Sequence, residues 1–535
     1  MSQDTAERDE TTINEIAGGA DEVLAPRAAH RGDRRSLLKV GAAAIAGMMI
    51  PAVAGAQVRR KGPDSPEGRT PQPQGSIPRP AGIDPTLNWT SAPLRLARRI
   101  TMGLNDAEAA RATSMGYSQY LEYQLAADVI SDTAVDTYVA TTFPLLAGDV
   151  NTIYNADNGV LQNQISYAGM YRGAFSGRQL KERLVEFWSD HFNIAYSKVG
   201  YLKVIDDRDV IRANAMTTFP QLLKASAHSA AMLAYLDQNT STKTSPNQNY
   251  AREIMELHTL GVNGGYTQTD VAELSRVLTG WTLAGRGTFS FNAAIHDYGA
   301  KTVIGTVIPA ASSATGAAAQ QEGETMLNVL AAHPSTATFI STKMLQYFLT
   351  SDPTPAQIAE VAAVYSSTGG DIKKMMRTVL SQQNLMSAPA MFKRPYHMIV
   401  SSLRALAPNV TVANIAGIAG QINAAGQYPF TWQTPDGFPM QLEYWSGNML
   451  PRWNASSFLS NQNSAASIQF DVTPFMTPAT PSAIVSQIDK YIFGGELTQR
   501  LRDELTTYIT TTPTSATRVR ETIALAMASS PFQYY

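Results

Sequence analysis

Helical periodicity runs through most of this chain and constrains its fold more than any other feature. Apolar residues recur at three- and four-residue spacing over 116–125, 179–192, 209–214, 219–227, 246–260, 268–279, 323–330, 336–349, 355–365, 371–380 and 396–406. That is the period of a helix with one buried face. Only 288–291 and 301–308 alternate like strands, and they are expected to pair as one small β-hairpin. Residues 408–481 are aromatic-rich with weaker periodicity, which suggests long loops packed on a helical body. Helices over 483–492, 498–510 and 515–528 close the chain. The expected class is mainly α: a multi-helix globular body with long loops and one small hairpin.

The chain has 535 residues, 44% hydrophobic and 16% charged, and no cysteine. That length suits two lobes or one elaborated helical domain. Without thiols there are no disulfides, no thiolate metal sites and no cysteine nucleophile, so packing must supply the stability. Arg34-Arg35-Ser36-Leu37-Leu38-Lys39 opens an apolar run from Val40 to Ile50, and Ala54-Gly55-Ala56 follows as a small-x-small cleavage pattern. This is the pattern of a twin-arginine signal peptide, read by the Tat export machinery. The run is about a dozen residues, short of the ~20 that span a bilayer. The expectation is a signal over 1–56, a Pro-rich disordered linker over 57–93, and a helical domain over 94–535. No transmembrane helix is expected in the mature chain, which would be periplasmic or extracellular. Residues 57–535 carry 36 basic and 36 acidic side chains; a neutral body argues against nucleic acid as a partner.

Order is expected from about Ala92, with Asn105 capping a helix at Asp106 and Glu108 three residues after the cap. The densest polar segment runs from Tyr235 to Trp281. Ser245-Pro246-Asn247-Gln248 reads as a helix start, with Ser245 as N-cap and Gln248 as capping-box partner. Gly261 is its stop. At about 100° per residue, Asn249, Arg252, Glu253 and Glu256 share an arc, while His258 projects near Ile254. The histidine therefore points away from the carboxylates, and no zincin pair of histidines is present. Two roles stay open for this helix. One is structural, an Arg252–Glu256 pair with a C-terminal histidine; the other is a carboxylate pair in a cleft, where one pKa could rise for acid–base work. Thr267 and Asp270 mark the start of the following helix, giving a helix–Gly turn–helix hairpin.

Glu186 to Phe192 ends another helix, on which Leu184, Phe187 and His191 share a face. His191 is either a satisfied core histidine or a ligand or general base. His296-Asp297 is a loop pair that could bind a metal or order the hairpin. Trp432, Trp445 and Trp453 could form a sugar-stacking surface or pack in the core. Asp237 to Gln248 lacks the glycine and terminal glutamate of a calcium loop.

These residues carry a family resemblance. The chain resembles the bacterial family called domain of unknown function 1800 (DUF1800) over about 94–406 and again at 427–454. Its landmarks are Arg95–Gly103, Phe187-Trp188-Ser189-Asp190-His191-Phe192, Ala231–Asp237, Asn249-Tyr250-Ala251-Arg252-Glu253-Ile254-Met255-Glu256-Leu257-His258 through Val262, Leu278-Thr279-Gly280-Trp281, His296-Asp297 and His333–Ala337. The resemblance implies a mainly helical exported protein, with a second exported family, domain of unknown function 1501 (DUF1501), as a plausible protein partner. Gln248 stands where the family pattern has Glu, and a Gly-Trp-Pro-Gly pattern is degraded to Asp436-Gly437-Phe438-Pro439. Two functional expectations follow. One is a metal-assisted extracytoplasmic hydrolase, with Glu253, Glu256, His258, Asp190 and His191 as candidate catalytic residues and His191, His296 and Asp297 as candidate ligands to a divalent metal. The other is a non-catalytic envelope assembly or binding protein.

Overall fold

The computed structural model describes residues 87, 89–477, 479–510 and 514–535. The expected signal peptide over 1–56 and nearly all of the expected linker over 57–93 lie outside the described residues. The described chain is mainly helical. Among the described residues, no helix is long and apolar enough to cross a membrane.

Ser91 accepts from the Leu94 N–H to start the helix Ala92–Ile100, and Pro93 occupies its first turn. Asn105 then caps Asp106–Leu125 by accepting from the Glu108 N–H at 2.9 Å. Gly116, at φ 73°, breaks that helix where the periodicity breaks. A large apolar core gathers Leu96, Leu184, Phe187, Trp188, Phe219, Tyr250, Ile254, Leu274, Ile340 and Phe348. The helix Pro395–Leu406 is buried at every position. It packs between Asn158–Phe175, Ala416–Ala424 and Met449–Ser460.

Buried arginines tie these layers together. Arg404 donates to the carbonyls of Gly103 (2.8 Å) and Ala174 (2.9 Å) and to the Glu108 carboxylate (2.6 Å). Tyr120 donates to the other Glu108 oxygen at 2.8 Å. Arg99 donates to the carbonyls of Phe348 and Leu349 at a helix end, and to that of Pro389 at 2.8 Å. Each guanidinium satisfies several backbone acceptors at once, which makes its burial tolerable.

The structure departs from the sequence expectations at four places. The strand Thr288–Phe291 pairs with Trp281–Ala284, Lys301–Val303 pairs with Thr306–Ile308, and Val410–Val412 pairs with Ile468–Phe470. Three two-stranded sheets thus replace the single hairpin: the first two pair across nearby turns, and the third joins strands separated by the helices Ala416–Ala424 and Met449–Ser460. Residues 408–481 keep long loops, as over 425–441, but also contain the helices Ala416–Ala424 and Met449–Ser460. Asn247, not Ser245, caps the next helix, accepting from the Asn249 N–H at 2.8 Å. Gln248 instead accepts from Gln268 across the helix hairpin.

The fourth departure bears most on function. The α-helix Gln248–Glu253 passes into a π-helix, Ile254–Thr259, closed by a 2.7 Å bond from the Leu260 N–H to the Met255 carbonyl. The 100° step therefore fails after Glu253. Two more π segments, Asp206–Arg212 and Asp489–Phe493, occur among the described residues.

Replacing Arg404 by Met should strand the buried Glu108 carboxylate and lower stability by about 3–5 kcal/mol. Urea unfolding measures this. Adding Glu108→Gln to that variant should recover at least half of the loss.

Candidate functional site

The helix Gln179–His191 has two working faces. Leu180, Leu184, Phe187, Trp188 and His191 enter the core. Glu182, Val185, Glu186, Ser189 and Asp190, followed by Asn193, line a cleft enclosing about 650 Å³ with its open mouth included. These positions recur at three- and four-residue spacing, so one helical stripe supplies much of the cleft wall.

Three other segments complete the cleft. The π-helix Asp206–Arg212 contributes Asp207 and Arg212. The arginine bonds Asp207 Oδ2 at 2.8 Å and both Glu182 oxygens at 3.0 Å. Tyr396 comes from the first turn of the buried helix, and its N–H is held by Gln427 Oε1 at 2.9 Å. The loop from Gln427 to Phe438 covers one side. Asn193 pins that loop by donating to the carbonyls of Trp432 (3.1 Å) and Thr434 (2.7 Å), and Tyr235 donates to that of Gln433 at 2.6 Å. Gly437, at φ 76°, sits so close to the Asp190 carbonyl that any Cβ there would collide with it.

Arginines fix the carboxylates on the other wall. Arg394 bonds Glu186 at 2.6 Å and Asp190 at 2.5 Å, and Arg183 bonds Glu186 at 2.9 Å. Burial works against the Glu186 carboxylate, but Arg394 and Arg183 outweigh it and hold its pKa below the ordinary value. At Asp190 burial prevails over Arg394, helped by Glu186, and the pKa rises. Lys343 feels both Asp190 and Asp436, yet burial pushes its ammonium down to about 8.

Asp436 leads to the carboxylates of the π-interrupted helix. Burial first, then Glu256, raises Glu253 to about 7; Asp436 adds to the rise and Arg252 opposes it. Among the described residues, the Glu253 carboxylate has no hydrogen-bond or ion-pair partner. Glu256 accepts from the Tyr266 hydroxyl at 3.3 Å. Asp190, Glu253 and Glu256 are thus linked electrostatically through Lys343 and Asp436.

The histidines lie elsewhere. His191 Nε2 donates to the His258 carbonyl at 3.1 Å, and the ring sits among Phe187, Trp188, Phe192, Phe219 and Phe339. Burial drives His191 well below its ordinary pKa and His258 to about 3, with Lys343 acting in the same sense on both. Both are neutral at pH 7 and shut into the core. His296 Nδ1 donates to the Thr279 carbonyl at 2.7 Å, and its Nε2 lies 3.4 Å from Glu322. Asp297 is clasped by Arg276 at 2.7 and 3.2 Å, and that bond above all lowers its pKa. His191, His296 and Asp297 therefore do not meet as metal ligands, because each is committed to a different packing contact. Among the described residues, no group of three or more His, Asp or Glu is placed to hold a metal.

A family model described as "Protein of unknown function (DUF1800)" matches residues 95–534. The chain belongs to this family. No curated protein and no solved structure matches it. In this DUF1800 protein the landmark Phe187–Phe192 serves two purposes, core through His191 and cleft through Asp190. The polar stripe beginning at Glu182 was the available sequence signal for the cleft; Asp207, Lys343 and Arg394 carried none.

The histidine burial has a pH consequence. A folded-state pKa of about 3 for His258, against about 6.5 unfolded, gives stability present above pH 6.5 and lost as pH falls toward 3. From pH 7 to 5, wild type should lose about 2 kcal/mol relative to His258→Phe. Denaturant titrations at the two pH values measure this difference.

Proposed function

We propose that this DUF1800 protein is an exported hydrolase, sent across the inner membrane by the twin-arginine pathway. It acts on envelope or extracellular polymer by carboxylate acid–base chemistry. The observation that carries this proposal is Glu253: a half-buried carboxylate with no bonding partner, raised to about 7 beside Glu256 and Asp436. A carboxyl group near neutrality can give a proton at physiological pH, and an ionised neighbour can take one. Glu253 donates its proton to the leaving oxygen of the scissile bond. Glu256 or Asp436 removes a proton from the attacking water, whose oxygen completes the product. Trp432, whose indole N–H is held by Asp436 at 2.9 Å, stands edge-on to the exposed Tyr444 at 6.0 Å. These rings supply a surface on which polymer can lie. The divalent-metal form of this function has no three-donor set to rest on among the described residues.

A second function is supported by how firmly the other charges are tied. Glu186, Asp190, Arg183 and Arg394 form one partly buried network. Such a network suits an envelope assembly protein that works with an exported partner, such as a DUF1501-family protein.

Mature protein should release soluble fragments from sacculi or extracellular polysaccharide of its host. Glu253→Gln should cut that rate at least 100-fold with the melting temperature unchanged or higher. Wild-type activity should fall as pH rises through about 7. Equal rates for wild type and Glu253→Gln would refute the acid role. No release from either polymer, with one envelope protein captured specifically by pull-down, would favour the assembly function.

A further inference from the structure

We propose that the inner cleft along Gln179–His191 is a binding subsite for an uncharged, hydroxyl-rich sugar unit. This deepens the hydrolase function by naming the substrate class, and it rests on that function only for the fate of the bound sugar.

The first support is an unmet hydrogen bond. Asp207 is 6% exposed and lines the cleft, and its Oδ1 is buried without any partner. Its other oxygen is already taken by Arg212. A buried carboxylate oxygen left unpaired is costly, and a ligand hydroxyl that donates to it removes that cost. Asp190 adds a second, less buried acceptor: Arg394 takes Oδ2, and Oδ1 has no hydrogen bond among the described residues. The Ser189 hydroxyl, on the same wall, is likewise uncommitted.

The second support is charge. Four carboxylates line the cleft, but each is matched by a guanidinium. Arg212 serves Glu182 and Asp207, with Arg172 alongside; Arg394 serves Glu186 and Asp190, with Arg183 behind. The cleft therefore presents fixed acceptors without a large uncompensated charge. That favours hydroxyl groups over an ammonium ion or a phosphate.

The third support is a strained aromatic. Phe430 lines the cleft at φ 63°, a left-handed conformation that a bulky residue rarely adopts. Its carbonyl accepts from the Tyr196 N–H at 2.8 Å, which holds the backbone there. Strain kept in a loop that walls a cavity points to a job for the side chain. Phe430 and Phe438 add apolar lining to a cleft that also carries the acceptors, a combination that suits the C–H face and hydroxyl rim of a sugar ring.

The test is calorimetric titration of the mature protein with maltose, cellobiose and N,N′-diacetylchitobiose, with tetramethylammonium chloride and sodium phosphate as competitors. At least one disaccharide should bind saturably. Phe430→Leu and Ser189→Ala should each weaken it at least 5-fold, and Asp207→Asn at least 10-fold, with wild-type circular dichroism. If Asp207→Asn does not fold, Phe430→Leu and Ser189→Ala decide the matter. Absence of saturable binding overturns the proposal. So does unaltered affinity in the folded variants, or displacement of the sugar by either competitor at equal concentration. Glu253→Gln should bind the same sugar as tightly as wild type. Sugar binding without polymer hydrolysis would therefore fail the hydrolase function alone, and hydrolysis without sugar binding would fail this subsite alone.

Discussion

The structure depends on guanidinium groups buried between helices. With no cysteine to cross-link the chain, Arg99, Arg404 and Arg394 bind segments that are far apart in sequence. An arginine suits this role because its planar fork offers five donors and never loses its charge. One residue can satisfy a loop carbonyl and a helix-end carbonyl and still pair with a carboxylate, as Arg404 does. Such groups add less net stability than their short distances suggest, since desolvation offsets most of the attraction. What they enforce is arrangement: any packing that separates Arg404 from Glu108 leaves a bare charge inside the protein.

The same logic shapes the cleft. The helix Gln179–His191 presents its apolar face and His191 to the core, and its polar stripe to the cleft. Arg183 and Arg394 link that stripe to the end of the buried helix. The carboxylates facing the cleft are consequently held in fixed positions before any ligand arrives, and a preorganised site loses less on binding. Glu253 is the contrast, since it is left unpaired at a break in helix geometry.

Much of this was legible in the sequence. The helical class, the caps at Asn105 and Thr267, and the Gly116 and Gly261 breaks follow from local chemistry that tertiary contacts do not override. The Ser245 cap failed because Asn247, two residues on, is an equally good capping side chain. The π turn at Ile254–Thr259 has no sequence signature, yet His258 still falls on the buried side with Ile254, away from Glu253 and Glu256. His191, His296 and Asp297 show a related limit of residue type, since the structure seats them in three different packing contacts. Residue type shows that a side chain can ligate but not that a backbone carbonyl or an arginine has already claimed it. Asp190 was found because a landmark segment drew attention to it; Asp207 and Phe430 become visible only when distant segments close around them.

The Arg404 and Glu108 pair spans 296 residues of sequence, and the Arg394 and Asp190 pair spans 204. Joining such distant segments carries an entropic cost before any contact rewards it, so contacts of this kind form late and make folding slow. The cleft, drawn from the 180s, the 200s, the 390s and the 430s, is therefore among the last features to mature. A half-folded chain would already hold most of its helices and none of its binding wall. Ligand recognition would then report completed folding more faithfully than any measure of helix content.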